Sequence, residues 1–352
     1  MKKRRIIKWF LLGIPLLFIA GVGFIVVSSY VEHRNLVEQE KAEYPAPGVL
    51  VDVHGDGAKL HVYAKGSRSS EAGRSGEAGG VGSVGSNNRG ASSPNGEATL
   101  VFLSGFGTSS PVYDFKALYN KLSDDYRIAV VERPGYGWSD ITSTPRDIDT
   151  LLEETRSALK LAGEQPPYVL FPHSMAGLEA IQWSHRYPHE IEAVIGLDPL
   201  VPGYHEQTDD DGPALSRVLT FLARTGLMRS QPDVCRQNFR AIKKGLLTAE
   251  EAEIACTIFF RRTFTENMWN EAAALPANVQ TVKAVGEQGP PAVPFHAFIS
   301  GEGEQAWQEA VSSYTRKSGG EYSILDAEHY LHLDKPELIA KESKKLISRH
   351  TR

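Results

Sequence analysis

The chain has only two cysteines, Cys235 and Cys256, and neither stands in a metal-ligand spacing with other Cys or His residues. A disulfide-dense scaffold and a thiolate metal site are therefore excluded. Whether the two pair stays open, because two small buried apolar residues read as well as a disulfide. Basic residues are not in excess either: 38 Lys and Arg face 43 Asp and Glu, for a net charge of −5. Neutralising phosphates takes a basic surface, so nucleic acid is not an expected partner. No internal repeat is present, and no cofactor or metal is implied.

What is there fits an ordinary globular protein, with 41% hydrophobic and 23% charged residues. Length alone allows one large α/β domain or two smaller ones. The N-terminus departs from that average. Lys2, Lys3, Arg4, Arg5 and Lys8 precede an uncharged run from Trp9 to Val27. As a helix that run rises about 28 Å, close to a hydrocarbon core of roughly 30 Å. A cleaved signal has a shorter apolar region followed by small residues, and Val26-Val27-Ser28-Ser29-Tyr30 is a poor cut site. An uncleaved signal-anchor over residues 1–30, contacting the bilayer through residues 9–27, is favoured over a cleaved signal or a buried core helix. The basic flank puts the N-terminus in the cytoplasm and the rest outside the cell membrane, as a single-pass protein.

Residues 31–47 read as a polar stalk and 48–352 as the globular domain. Gly48 to Val53 and Lys59 to Ala64 predict a hairpin around His54-Gly55-Asp56-Gly57. Residues 66–98 are Gly/Ser-rich with almost no large apolar side chain. They predict a disordered insertion at a loop tip. From Thr99 on, short apolar runs alternate with longer amphipathic segments. Strands are expected at Thr99–Leu103, Tyr126–Val131, Tyr168–Phe171 and Ile191–Leu197. Helices are expected at Val112–Leu122, Ile148–Leu161 and Met175–Tyr187. The alternation means βαβ units and a mostly parallel sheet covered by helices on both faces. It stops over about 200–285, a helical insert (Leu215–Leu227, Glu250–Phe264) that reads as a lid. It resumes with Val293–Ile299, Ala306–Tyr314, Tyr322–Leu325 and Pro336–Ile347.

Chemistry concentrates at the ends of these strands. Phe171-Pro172-His173-Ser174-Met175-Ala176-Gly177 sets a serine between an apolar strand and a helix. Such a turn exposes the Ser174 Oγ and offers the Met175 N–H to a developing oxyanion. A serine there can equally be a plain N-cap, so its partners matter. His329 follows the last strand, where a general base can reach Ser174. His332 leans into the next helix, and His173 reads as support for the turn. The turn Leu103-Ser104-Gly105-Phe106-Gly107-Thr108 can aim the Phe106 N–H at the same oxyanion.

These residues resemble the α/β-hydrolase superfamily from about residue 48 to the end, the Gly/Ser loop excepted. Ser104-Gly105-Phe106-Gly107 is similar to its His-Gly-x-Gly oxyanion turn, with Ser for His. Glu132-Arg133-Pro134-Gly135-Tyr136-Gly137-Trp138-Ser139 is similar to the Asp-x-x-Gly-x-Gly-x-Ser loop of the proline-iminopeptidase and haloperoxidase-like branch. Pro172 to Gly177 resembles its Gly-His-Ser-Met-Gly-Gly elbow, with Pro172 where Gly is preferred. Members with an Asp nucleophile, such as epoxide hydrolases and haloalkane dehalogenases, are less similar here because position 174 is Ser.

The resemblance implies a triad acid after one of two strands. Asp198, at the strand end Gly196-Leu197-Asp198-Pro199, is favoured. Glu304, in Gly301-Glu302-Gly303-Glu304, is the alternative. The expectation is an α/β-hydrolase-fold serine hydrolase acting on a small-molecule ester, or less readily an amide. One rival is an iminopeptidase-like enzyme gripping a substrate amine with Glu206 and Asp209 to Asp211. Another is a membrane-tethered binding protein that kept the fold and lost catalysis.

Overall fold

The computed structural model describes residues 2–66, 98–204, 212–231 and 233–350, with backbone alone for residues 2–14 and 212–216. The Gly/Ser insertion expected at 66–98, apart from its two end residues, lies outside the described residues, as do Glu206 and Asp209 to Asp211.

Val49–Asp52 (β1) and Lys59–Lys65 (β2) form the expected antiparallel hairpin. Thr99–Leu103 (β3), Arg127–Glu132 (β4), Tyr168–Ser174 (β5) and Ile191–Pro199 (β6) follow. Phe295–Ser300 (β7) and Tyr322–Leu325 (β8) complete one sheet in the order β1-β2-β4-β3-β5-β6-β7-β8. From β4 to β8 every pairing is parallel. The strand composition explains why. In β3, Leu100 and Phe102 face one apolar layer while Val101 and Leu103 face the other. A strand buried on both sides needs apolar residues at successive positions, and a sheet of such strands must be sandwiched by helices. This is the α/β-hydrolase fold anticipated above.

Helices Ile148–Leu161 and Ala176–Arg186 pack on one face, where Trp183 is fully buried. Pro336–His350 packs on the other. Asp147 caps the first of these by accepting from Thr150 N at 3.0 Å, an arrangement typically worth about 1 kcal/mol. The single helix expected over Val112–Leu122 is two short ones, Pro111–Asp114 and Lys116–Tyr119. The joint is Phe115, whose ring is buried between Phe102 and His332.

The insert is helical among its described residues, with the longest helices at Gly212–Arg224, Ala249–Arg262 and Glu266–Gly286. A capping box at Thr248 and Glu251 starts the second. Cys235 and Cys256 are joined by a disulfide inside the insert. The insert is fastened to the loop after β4. Arg262 Nε donates to Gly137 O at 2.8 Å, and Asn267 Nδ2 donates to Thr142 O at 3.0 Å.

One helix, Lys2–Glu43, runs through both the apolar segment and most of the expected stalk. It is long and apolar enough to cross a membrane. The stretch expected to be a stalk, 31–47, is thus helical as far as Glu43 and rests on the insert. Arg229 donates to both carboxylate oxygens of Glu40, at 2.6 and 2.9 Å, and to His33 Nδ1 at 2.9 Å.

Candidate active site

β3 has β4 on one side and β5 on the other, so the chain leaves these strands in opposite directions and a crevice opens at their C-terminal ends. Ser174 closes β5 with φ +53°, in the left-handed region that non-glycine residues seldom adopt. The strain is held by the surroundings. Its carbonyl accepts from Leu200 N at 2.8 Å, and the β5–β6 register shifts between His173 and Ser174. Pro172 does not prevent the turn; it sits opposite Leu103 in the ladder.

Two glycines show how tightly this corner is packed. A Cβ on Gly177 would lie 2.3 Å from Leu200 O, so the helix after the turn can approach β6 only without a side chain there. A Cβ on Gly105 would lie 2.7 Å from Ser174 Cβ and 3.1 Å from His173 Nδ1. The turn after β3 is thereby pressed against residue 174, with Phe106 the next residue along it. Met175 follows Ser174 as the N-cap of helix Ala176–Arg186. Phe106 itself is partly exposed and its ring lies 5.9 Å from that of Trp269 on the insert.

The two candidate acids have different surroundings. Asp198 is 2% exposed at the end of β6, with φ +50°. Its Oδ2 lies 2.6 Å from His329 Nδ1, while Oδ1 accepts from Ser300 N at 2.9 Å and Trp307 Nε1 at 3.0 Å. A carboxylate acts only as an acceptor, so Nδ1 of His329 carries the proton and Nε2 remains for other chemistry. Glu304 is instead exposed at the N-cap of helix Gln305–Lys317 and accepts from Tyr204 OH at 2.9 Å.

His332 and His173 have other contacts. His332 is fully buried with Nε2 3.0 Å from Asp114 Oδ2. His173 is buried with its ring centroid 4.7 Å from that of His329. Its Nε2 donates to His329 O at 3.2 Å, which tethers the His329 loop to the residue before Ser174. Burial, then the neighbouring His332 and His329, hold His173 far below the usual imidazole range, so it stays neutral.

A buried polar network under the crevice had no individual signal in the sequence. Arg133 donates from Nη1 to Ser104 O at 2.7 Å, and from Nε and Nη2 to the Glu271 carboxylate at 3.1 and 3.0 Å. Tyr136 OH donates to the same carboxylate at 2.6 Å. The oxyanion-type turn, the loop after β4 and the insert are thus bound through one guanidinium. Glu179, on the helix after Ser174, is pushed up to about 7 by burial, against the opposing pull of Arg133 and its bond from Thr155. Arg133 and Tyr136 lie within the quoted loop motif, but Glu271 and Trp307 come from helices whose sequences carry no motif.

Fold and site geometry together define a hydrolase-type scaffold. The chain belongs to the α/β-hydrolase fold family, whose model matches residues 98–336. It is 36% identical over 266 residues to the uncharacterized protein YbdG of Bacillus subtilis (strain 168), covering 75% of this chain and 72% of that protein. It is also similar in structure to the enol-lactonase from Burkholderia xenovorans LB400. That match has a TM-score of 0.58 at 16% identity, over 85% of this chain and all (100%) of the other. The epoxide hydrolase CorEH matches with a TM-score of 0.58 at 16% identity, over 86% and 98% of the two chains. At such identities these structures speak for the fold alone.

Proposed function

We propose that this protein is a serine hydrolase that cleaves a small-molecule ester through an acyl-enzyme, held outside a membrane by its N-terminal helix. The observation that carries the reading is the hydrogen bond between His329 Nδ1 and buried Asp198, in a loop tethered to the residue before Ser174. Ser174 Oγ attacks the carbonyl carbon while His329 Nε2 takes its proton. The tetrahedral oxyanion is met by the N–H groups of Phe106 and Met175. Collapse expels the alcohol with the proton from His329, and water repeats the steps to release the acid. Asp198 holds the imidazole tautomer and balances the imidazolium. Each oxyanion donor is typically worth about 3–4 kcal/mol of transition-state stabilisation.

An epoxide-opening reading is disfavoured because position 174 offers a hydroxyl where that chemistry uses a carboxylate. The iminopeptidase reading draws no support from the described residues, since its acidic candidates lie outside them. The test is active-site labelling. A fluorophosphonate probe is expected to label the folded wild type and not Ser174→Ala, and p-nitrophenyl esters are expected to turn over faster than amino-acid anilides. Folded wild type that resists the probe would favour the non-catalytic binding protein. Faster anilide turnover would favour the peptidase.

A further inference from the structure

A cavity of about 340 Å³ lies between the N-terminal helix and the insert, away from Ser174. The helix contributes Tyr30, His33 and Arg34, and the insert contributes Phe260, Arg261 and Arg262. Its charges do not balance internally. The lining carboxylates are already engaged: Glu38 with Lys41 at 2.8 Å, Glu266 with Arg224 at 2.8 Å, and Asp140 with the Lys59 amide at 3.0 Å. Arg34 and Arg261 have no ion pair among the described residues, and Arg262 has only its bond to Gly137 O. Nε and Nη1 of Arg261 are shut off from solvent without a hydrogen-bond partner.

Of the four guanidiniums around the cavity, Arg261 and Arg262 are largely withdrawn from solvent and repel one another, and the carboxylates that oppose this, Glu38, Glu40, Glu132 and Asp140, act from a distance without an ion pair to either. The strain registers in their protonation. Burial, then Arg261, brings Arg262 down to about 10, and burial chiefly lowers Arg261. Burial, then Arg229 and Arg34, brings His33 down to about 4, so it adds no positive charge. An anion with several acceptor oxygens is the partner that guanidinium forks match best.

We propose that this cavity binds a phosphate-type oxyanion, presented by a lipid headgroup or free in solution. Its position suits the first source. Tyr30 and Arg34 are three and seven residues beyond Val27, at most about 5 and 11 Å along a helix from the end of the uncharged run. Headgroups extend roughly 5–8 Å beyond the hydrocarbon on each side. The lipid source depends on the membrane-spanning reading of the helix, whereas the anion site does not.

The test uses the full-length chain carrying Ser174→Ala, so that no ester is consumed, in neutral detergent micelles. Thermal unfolding is followed with inorganic phosphate, with phosphatidylglycerol mixed into the micelles, and with potassium chloride at matched ionic strength. A saturating ligand is expected to raise Tm by roughly 3–6 °C. A rise with phosphate, not matched by chloride, establishes the site for free anion. A rise with phosphatidylglycerol alone establishes it for lipid. The rise is expected to vanish in Arg261→Gln, which without ligand should be at least as stable as the parent because an unpaired charge is gone. Arg34→Gln, at an exposed position, repeats the test should Arg261→Gln misfold. No rise with either probe, or a rise that survives these substitutions, overturns the proposal.

Discussion

Asp198 is almost completely buried, and an ionised carboxylate there is tolerable only with several donors. It has three, from Ser300 N, Trp307 Nε1 and His329 Nδ1. Substituting an amide would keep the volume while presenting a donor where His329 needs an acceptor, which favours the wrong imidazole tautomer. Asp198→Asn is therefore expected to lower kcat for ester hydrolysis by about 10³–10⁴-fold. Glu304→Gln, whose surface carboxylate meets Tyr204 OH among the described residues, is expected to stay within about threefold. Steady-state kinetics on one p-nitrophenyl ester measures both. Near-wild-type turnover in Asp198→Asn with a collapse in Glu304→Gln would reverse the assignment.

Among the elements, the insert has the most to organise. Part of the order of its described helices comes from outside, through Arg262, Asn267 and Glu271 gripping the loop after β4. The disulfide ties Asp233–Asn238 to Ala249–Arg262 across a separation of 21 residues. Closing a loop of that size removes unfolded-state entropy worth about 3 kcal/mol. Replacing both cysteines by serine is expected to lower Tm by roughly 6–10 °C, as read by calorimetry. An unchanged Tm would mean that the bond does not form in the folded protein. Spacing alone could not decide the pairing, because it depends on how two helices turn toward each other.

At the scale of the molecule, the N-terminal helix has 42 residues and so is about 63 Å long, about twice a hydrocarbon core. Its apolar part exposes Leu16, Leu17, Phe18, Ile19 and Phe24, which a bilayer would cover. Its polar part is pinned to the insert by Arg229. If the helix spans the cell membrane, the domain resists carbonate extraction and is digested when protease is added to intact cells. A domain fully protected from that protease would refute the orientation.

The sheet was readable from the sequence because each strand's apolar run and each helix's amphipathic spacing report their own neighbours in the chain. The hairpin, the strands that carry the site and the helix after Ser174 lie within a few residues of expectation. The same is true of the tight turns, where Gly105 and Gly177 sit because no side chain fits. The sequence by itself thus determined the fold and singled out Ser174, His329 and two candidate carboxylates. Only the tertiary structure decided that Asp198, 131 residues away in sequence, meets His329 while Glu304 turns to Tyr204. It also decided that Cys235 finds Cys256, that Arg133 finds Glu271, and that the helix after the apolar run lies against the insert. These contacts arise from strand order and helix packing, and long-range juxtaposition leaves no periodicity in a single chain to read.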